Sequence, residues 1–575
     1  MNKRVALVTI LSVGVLVGWM MLQTWLWPPQ KPRPRPKPAA VDVEPAWANV
    51  PKLPVVQDPP TQPAVAVVDD IVIDTTHYRA TFTNRDAGLV DLELKYRGKP
   101  VKLLRAREAK GPSHLALTFP DEAEQAAWEV RRDGLRVTFT RRLRNGLELE
   151  KTFELDPEKP RLRMRLEATN RTGAPLPLRM EMDAFHGMPH DSDYRAEIYA
   201  SGFVATTKRD SGGFTLQFTS TPDAQKKPVP LKGSDLGKDH EYDAVGIKNR
   251  YFAVALVPAG VPKRAIDTVT FSIVDPLPKP GGMRAHVRYR EIEVQQREIL
   301  DYAIFAGPLV DESLKPAGHG LDGLHDYASG CGCGPFAATL GPVIRLVGPV
   351  LLAVMTFWHA LFGNWGVAII LTTLVLRLCM FPLTRKSAVS MSKMSLLQPQ
   401  VTIIRERHAD NPQKAQQEMM KLWKENGVSP LSGCLPMFLQ LPIWIAMYSV
   451  VDMSIELRQA PFMLWMKDLS LPDRLIPFGR EYSLLLTTAD AINVLPIVMT
   501  MVSFLQMYFA PRSPDPQMQQ QQKMMMFMPF MIGLVCYSLG SGLSLYFLFN
   551  SLLSLTEQWI IKRVWIKPAQ PQAKA

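Results

Sequence analysis

The sequence is poor in the residues that build most kinds of chemistry. It has five cysteines in 575 residues. Three of them, Cys379, Cys434 and Cys536, lie in or beside apolar runs, where a thiol packs as a small hydrophobe. Cys331 and Cys333 in GCGCG are too close for an easy disulfide. Together with His319 and His325 they match no zinc spacing, so a flexible glycine linker is the simpler reading. Glycine-rich phosphate loops are missing, which argues against a nucleotide-driven machine. His240-Glu241 lacks the second histidine of a zinc-protease helix. His186, His190, Asp191 and Asp193 cluster in HGMPHDSD, a polar loop without supporting ligands elsewhere. With no carboxylate pair either, no enzyme activity, metal or cofactor is expected. The net charge of +12 comes without the interleaved aromatics of a nucleic-acid reader, so no specific nucleic-acid recognition is expected. Beside long apolar runs it points to an anionic membrane surface.

What is present divides into a polar front half and an apolar back half. Residues 1–27 place the apolar run Val5 to Trp27 behind Lys3 and Arg4. It is too long for a signal-peptide core and ends in Trp25-Leu26-Trp27-Pro28, as an uncleaved anchor with a cytosolic amino end would. The proline-rich stretch 28–59 then reads as a stiff spacer. From about residue 60 to 330 the period is two, as in Leu162 to Leu166, with turn residues between the runs. Asn145-Gly146 is the strongest hairpin signal among them. This pattern predicts a large antiparallel β-sandwich. Asn170-Arg171-Thr172 matches a glycosylation sequon, a pattern common by chance.

Beyond it, 336–362 is apolar but interrupted by Pro342, Arg345, Pro349 and His359. It predicts an amphipathic helix lying in the outer interface. Spans are then expected at 363–384, 433–455, 491–510, 524–539 and 540–561. Between them come a helical hairpin at 385–432, an outer loop at 456–490 and an inner loop at 511–523, and a basic tail follows at 562–575. Residues 385–432 carry eight Lys/Arg against four Asp/Glu, and the stretch from Asp452 to Asp490 carries four against six. The positive-inside rule therefore fixes one topology, with both termini cytosolic.

One span contradicts its own hydrophobicity. Arg377 lies eight residues before Arg385, roughly 12 Å deep by helical rise. A cation there costs from about 3 to about 17 kcal/mol, depending on how far water follows it. Its helical neighbours Thr373, Leu374, Met380 and Phe381 include no carboxylate. The last span carries Tyr546, Asn550, Ser554 and Glu557 on one face, and Gln440 adds polarity on another span. Lipid penalises such a stripe, so it should line an interior. The expected arrangement is a hydrated, positively lined groove open to the cytosol and closed outward. Its cation would draw in acidic residues of a polar tail while an apolar client segment slides into lipid.

The motifs GNWGVAIILTTLVLR, SMSKMSLLQPQ, VSPLSGCLPMFLQLPIW, ELRQAPFMLWMKDLS, FMPF and SGLSLYFLFN run in order through residues 360 to 561. By these the chain resembles the YidC family of membrane protein insertases, of the Gram-negative type. YFAVALVP at 251 to 258 carries a weaker likeness in the front half. The resemblance implies an α-helical polytopic membrane bundle of an amino-terminal anchor and five core transmembrane helices. It also implies a periplasmic antiparallel β-supersandwich of the galactose-mutarotase type, with no sugar enzymology. It further implies an inner-membrane location, nascent membrane proteins as substrates, and membrane lipids, the ribosome and the Sec translocon as partners. It assigns substrate contact to Arg377 and lining roles to Thr373, Gln440 and Tyr546. Asn550 and Glu557 join that list as candidate substrate-binding residues through the shared helical face. Relatives often have two tyrosines where this chain has Tyr546-Phe547. Two competing readings are a small-molecule transporter or channel, and a tethered carbohydrate-active enzyme. The first is opposed by a single deep charge without repeated halves, the second by the missing carboxylate pair.

Overall fold

The structure, a computed structural model, describes residues 66–68, 70–104, 112–122, 127–188, 201–208, 214–220, 229–232, 240–259, 265–273, 283–325, 327, 335–408, 411–428, 435–483, 488–509 and 525–565. The expected anchor at 1–27, the spacer at 28–59, the inner loop at 511–523, the GCGCG linker and the glutamine run at 519–522 lie outside the described residues, as do His190, Asp191 and Asp193.

Alternation becomes sheet in the front half. In Leu162–Thr169 every second side chain is buried. That strand pairs antiparallel with Glu148–Leu155 on one side and Arg297–Pro308 on the other. Among the described residues the largest sheet has nine strands. Its order is Phe214–Ser220, Ser201–Lys208, His240–Lys248, Phe252–Pro258, Arg297–Pro308, Leu162–Thr169, Glu148–Leu155, Arg136–Arg142 and Glu129–Asp133. A five-stranded sheet, containing Glu181–His186 and Met283–Tyr289, shares its core with it through Trp128, Phe139, Phe153, Phe185, Phe271 and Tyr302. Each sheet leaves one face to bury, and the two faces bury each other. Asn145 turns the hairpin as its residue type predicts: its Oδ1 accepts from the Leu147 amide at 3.1 Å, and Gly146 supplies φ +96°. The sequon asparagine is committed to the fold. Asn170 is buried and its amide donates to the carbonyls of Ala174, Val294 and Gln295.

Helices follow: α1 (Asp311–Ala317), α2 (Pro335–Phe362), α3 (Trp365–Leu396), α4 (Gln398–Arg407), α5 (Pro412–Glu425), α6 (Leu435–Met453), α7 (Val494–Tyr508), α8 (Met528–Cys536) and α9 (Ser541–Val564). Gly341–Phe362 of α2 and Trp365–Met394 of α3 are long and apolar enough to cross a membrane, and α6 and α7 contain shorter apolar stretches. Gly363 at φ +67° permits the sharp connection from α2 to α3, and His359 stacks on Trp365 across it with ring centroids 4.2 Å apart. The helical core gathers Trp365, Ala368, Ile369, Met447, Val450, Leu469, Leu543 and Tyr546 at the end nearest the β domain.

Helix α3 runs on to Leu396, so the expected span at 363–384 and the first residues of the helical hairpin at 385–432 form one continuous helix. Pro399 lies in the first turn of a new helix, α4, where a missing N–H leaves no bond unmade. The arms α4 and α5 pack on each other through Val401 and Ala415, with His408 Nε2 3.0 Å from a Glu418 carboxylate oxygen. Asn411 caps α5 by accepting from the Lys414 amide, and Gly427 at φ +61° follows its end. The outer loop at 456–490 contains an antiparallel hairpin, Ile476–Ser483 with Thr488–Ile492, where only a loop was expected.

Candidate functional site

Three helices bring most of the polar candidates together. Arg377, on α3, donates from Nε to Asn550 Oδ1 at 2.9 Å and from Nη1 to Glu557 Oε2 at 3.4 Å. Asn550 and Glu557 lie seven residues apart on α9, two helical turns on one face, so a single guanidinium can bridge them. The carboxylate that α3 lacks is therefore supplied by α9. Arg377 keeps 15 % of its side chain exposed against 8 % for Glu557. Its Nη2 has no partner among the described residues. The cation is thus half satisfied, with donors left for a further acceptor.

A turn closer to the β domain, Gln440 of α6 donates to the Tyr546 hydroxyl at 3.3 Å, and both are buried. Thr373 is not part of this network: fully buried, it returns its hydroxyl to the Ile369 carbonyl of its own helix at 2.7 Å. Phe547, standing where relatives often carry a tyrosine, packs edge-on against Trp444 at 5.6 Å between centroids. Ser554 turns instead toward α7, accepting from Gln506 Nε2 at 2.9 Å, and Ser551 meets Ser503 at the same distance. The sequence reading missed this second seam. Its only signal was the spacing of Ser503 and Gln506, one helical turn apart and matching that of Ser551 and Ser554.

Toward the β domain the polar cluster is capped by the apolar core around Ile369, Val450 and Leu543. Leu374 and Leu378 of α3 and Leu552 of α9 face outward from the same helices and are exposed.

Two family models cover most of the chain: the YidC periplasmic domain matches residues 70–329, and the 60Kd inner membrane protein model matches 357–569. The membrane protein insertase YidC of Francisella philomiragia is 30% identical over 423 residues, covering 73% of this chain and 68% of its own. The chain belongs to the YidC membrane insertase family. The YidC of Syntrophus aciditrophicus aligns over 98% of this chain and 100% of its own length at 27% identity. A solved galactose mutarotase-like protein from Lactobacillus casei covers 41% of this chain and 99% of its own, at 12% identity and TM-score 0.31, too low to bear on the fold. The junction of the two YidC models falls between the β domain and α3. The cluster of Arg377, Gln440, Tyr546, Asn550 and Glu557 lies wholly within the inner-membrane part.

Proposed function

We propose that the chain inserts nascent inner-membrane proteins and helps them fold, alone or with the Sec translocon, through a hydrated groove open to the cytosol. On this reading Arg377, Asn550 and Glu557 form the polar floor of the groove, Gln440 and Tyr546 its inner wall, and Thr373 a packing residue behind it. The β domain lies in the periplasm, and α3, α6, α7, α8 and α9 are the core spans. The anchor at 1–27 adds a sixth, both termini are cytosolic, and α2 rests in the outer interface. The hairpin α4–α5 faces the cytosol, where it meets the ribosome or the emerging client. Membrane lipids surround the exposed apolar side chains of α7 and α8, such as Met501, Phe530 and Val535.

One observation carries this reading: a guanidinium among apolar helices, held by one amide and one carboxylate, with a nitrogen left unpartnered and part of its surface open. A purely structural arginine would be enclosed, because an incompletely paired charge in an apolar bundle costs several kcal/mol. Work against the bilayer then comes from transfer of the client's apolar segment, about 25 cal/mol per Å², and from the membrane potential, about 2.3 kcal/mol per charge per 100 mV.

The test is complementation of an insertase-depleted strain. Arg377→Lys is expected to sustain insertion of clients whose translocated tails are acidic, and Arg377→Ala to lose most of it. Equal activity of the alanine variant on every such client would remove the role assigned to Arg377.

A further inference from the structure

The β domain touches the helices through a buried arginine that the groove itself does not use. Between the strands His240–Lys248 and Phe252–Pro258, the turn Asn249-Arg250-Tyr251 is held rigid by Asn249. Its Oδ1 accepts from the amides of Tyr251 and Phe252 at 3.0 and 2.9 Å. That turn presents Arg250 to the end of α6. Nε donates to the Asp452 carbonyl oxygen at 2.5 Å, Nη2 to Asp452 Oδ1 at 2.8 Å, and Nη1 to the Ser470 carbonyl oxygen at 3.2 Å. The pair is enclosed, with 9 % of the Arg250 side chain and 4 % of the Asp452 side chain exposed.

Asp452 needs this cation. It is the penultimate residue of α6, where the helix carries its own partial negative charge and unpaired carbonyls, so an enclosed carboxylate there is doubly unfavourable. Arg250 answers both, neutralising the carboxylate and capping a carbonyl. Its third bond reaches the loop that covers the start of α9. There the Leu469 carbonyl accepts from the Gly542 amide at 2.9 Å and the Leu471 carbonyl from the Ser541 amide at 2.7 Å. The approach is so close that a Cβ on Gly540 would stand 2.9 Å from the Ser470 carbonyl oxygen. Helix α9 is the one that carries Tyr546, Asn550 and Glu557. Neighbouring contacts tie the same loop to the β domain: Arg458 lies over the Phe252 ring at 5.4 Å, and Lys99 Nζ approaches Gln459 Oε1 at 3.4 Å.

We propose that Arg250 is a positioning residue: through Asp452 and Ser470 it holds the loop over the first turn of α9, so that the β domain keeps the groove shut on its periplasmic side. The proposal rests on the insertion-groove reading for its meaning, but the closure it describes is measurable without any client. A buried ion pair contributes little net stability and is strongly sensitive to geometry. It therefore suits a part that sets where two bodies sit.

The experiment uses the full chain in its native membrane, with its own cysteines replaced and a single reporter, Ser544→Cys. Ser544 is fully buried in the first turn of α9, two residues past Gly542, whose amide is bonded to the covering loop. A membrane-impermeant maleimide is added from the periplasmic side. With Arg250 intact the reporter is expected to stay unlabelled over the assay. With Arg250→Ala the labelling rate is expected to rise about tenfold or more, and Arg250→Lys, which keeps the charge but not the fork, to fall between. Protease resistance of the β domain is followed in parallel. An unchanged labelling rate in Arg250→Ala, whether the β domain stays resistant or softens, overturns the proposal and leaves Arg250 a domain staple. Should Arg250→Ala fail to accumulate, Asp452→Asn takes its place: faster labelling supports the latch, and no change overturns it. Loss of insertion in Arg377 variants with the labelling pattern preserved would separate the two readings.

Discussion

Arg377 shows how a single residue carries the functional argument and where its own helix misleads. Its neighbours on α3 hold no carboxylate, yet Glu557 stands 3.4 Å away on another helix. Two roles are therefore open to the arginine, neutralising Glu557 or meeting a client, and one double variant separates them. Arg377→Ala leaves the buried Glu557 carboxylate without its cation, at a cost on the order of 3 kcal/mol, so it should lower thermal stability. Adding Glu557→Gln should restore it. Insertion of acidic-tailed clients should stay defective in the double variant; recovery of both together would reduce Arg377 to a partner for Glu557. A second residue-scale prediction concerns Lys151, fully buried in the β domain with Nζ donating to the Leu115 carbonyl. Burial pushes its ammonium down from 10.5 to about 7, against a smaller opposing pull from Asp86. The unfolded chain therefore binds the proton more tightly between pH 7 and 10.5, so stability rises with pH across that window and is flat below it. The gain is about 1 kcal/mol from pH 7 to 8. Thermal unfolding followed by the β-sheet circular dichroism signal should show that slope, and Lys151→Met should flatten it.

At the level of elements, the helical core depends on close approaches that only glycine allows. A Cβ on Gly366 of α3 would stand 2.0 Å from the Phe462 ring, which roofs the start of that helix. Gly366→Ala should cost about 1–3 kcal/mol, read as a lower melting temperature in detergent, while Gly427→Ala in the hairpin should cost mainly backbone strain. Elements with a strong period were legible. Leu162–Thr169 alternates in sequence and in burial, and the run from Trp365 is long and apolar enough to be helical despite Arg377 and Pro382 within it. Elements set by tertiary contact were not. The hairpin Ile476–Ser483 with Thr488–Ile492 contains Pro477 and Gly479, signals that locally read as loop. Helix α3 continues to Leu396, so the span and the start of the expected helical hairpin share one helix, and the break falls at Leu397.

Across the whole molecule, the polar stripe on α9 was legible because lipid penalises it wherever it does not face protein. The partners of that stripe were not, since nothing local links Asn550 to Arg377 or Ser551 to Ser503. The contact that joins the halves was equally silent. Arg250 and Asp452 are separated by 202 residues, and each alone reads as a surface charge. The two halves thus meet at one buried ion pair, with the loop that carries Ser470 packed over the first turn of α9 and the polar cluster farther along that helix. The central claim is that this cluster meets the client from the cytosolic side. Photocrosslinkers placed at 373, 377, 440 and 546, read against a ribosome-stalled nascent membrane protein, test it most directly. Strong adducts from 377, 440 and 546 with a weak one from 373, which lies behind the cluster with its hydroxyl held by its own helix, are the expected result; adducts absent from all four, with the hairpin alone crosslinking, would contradict the account.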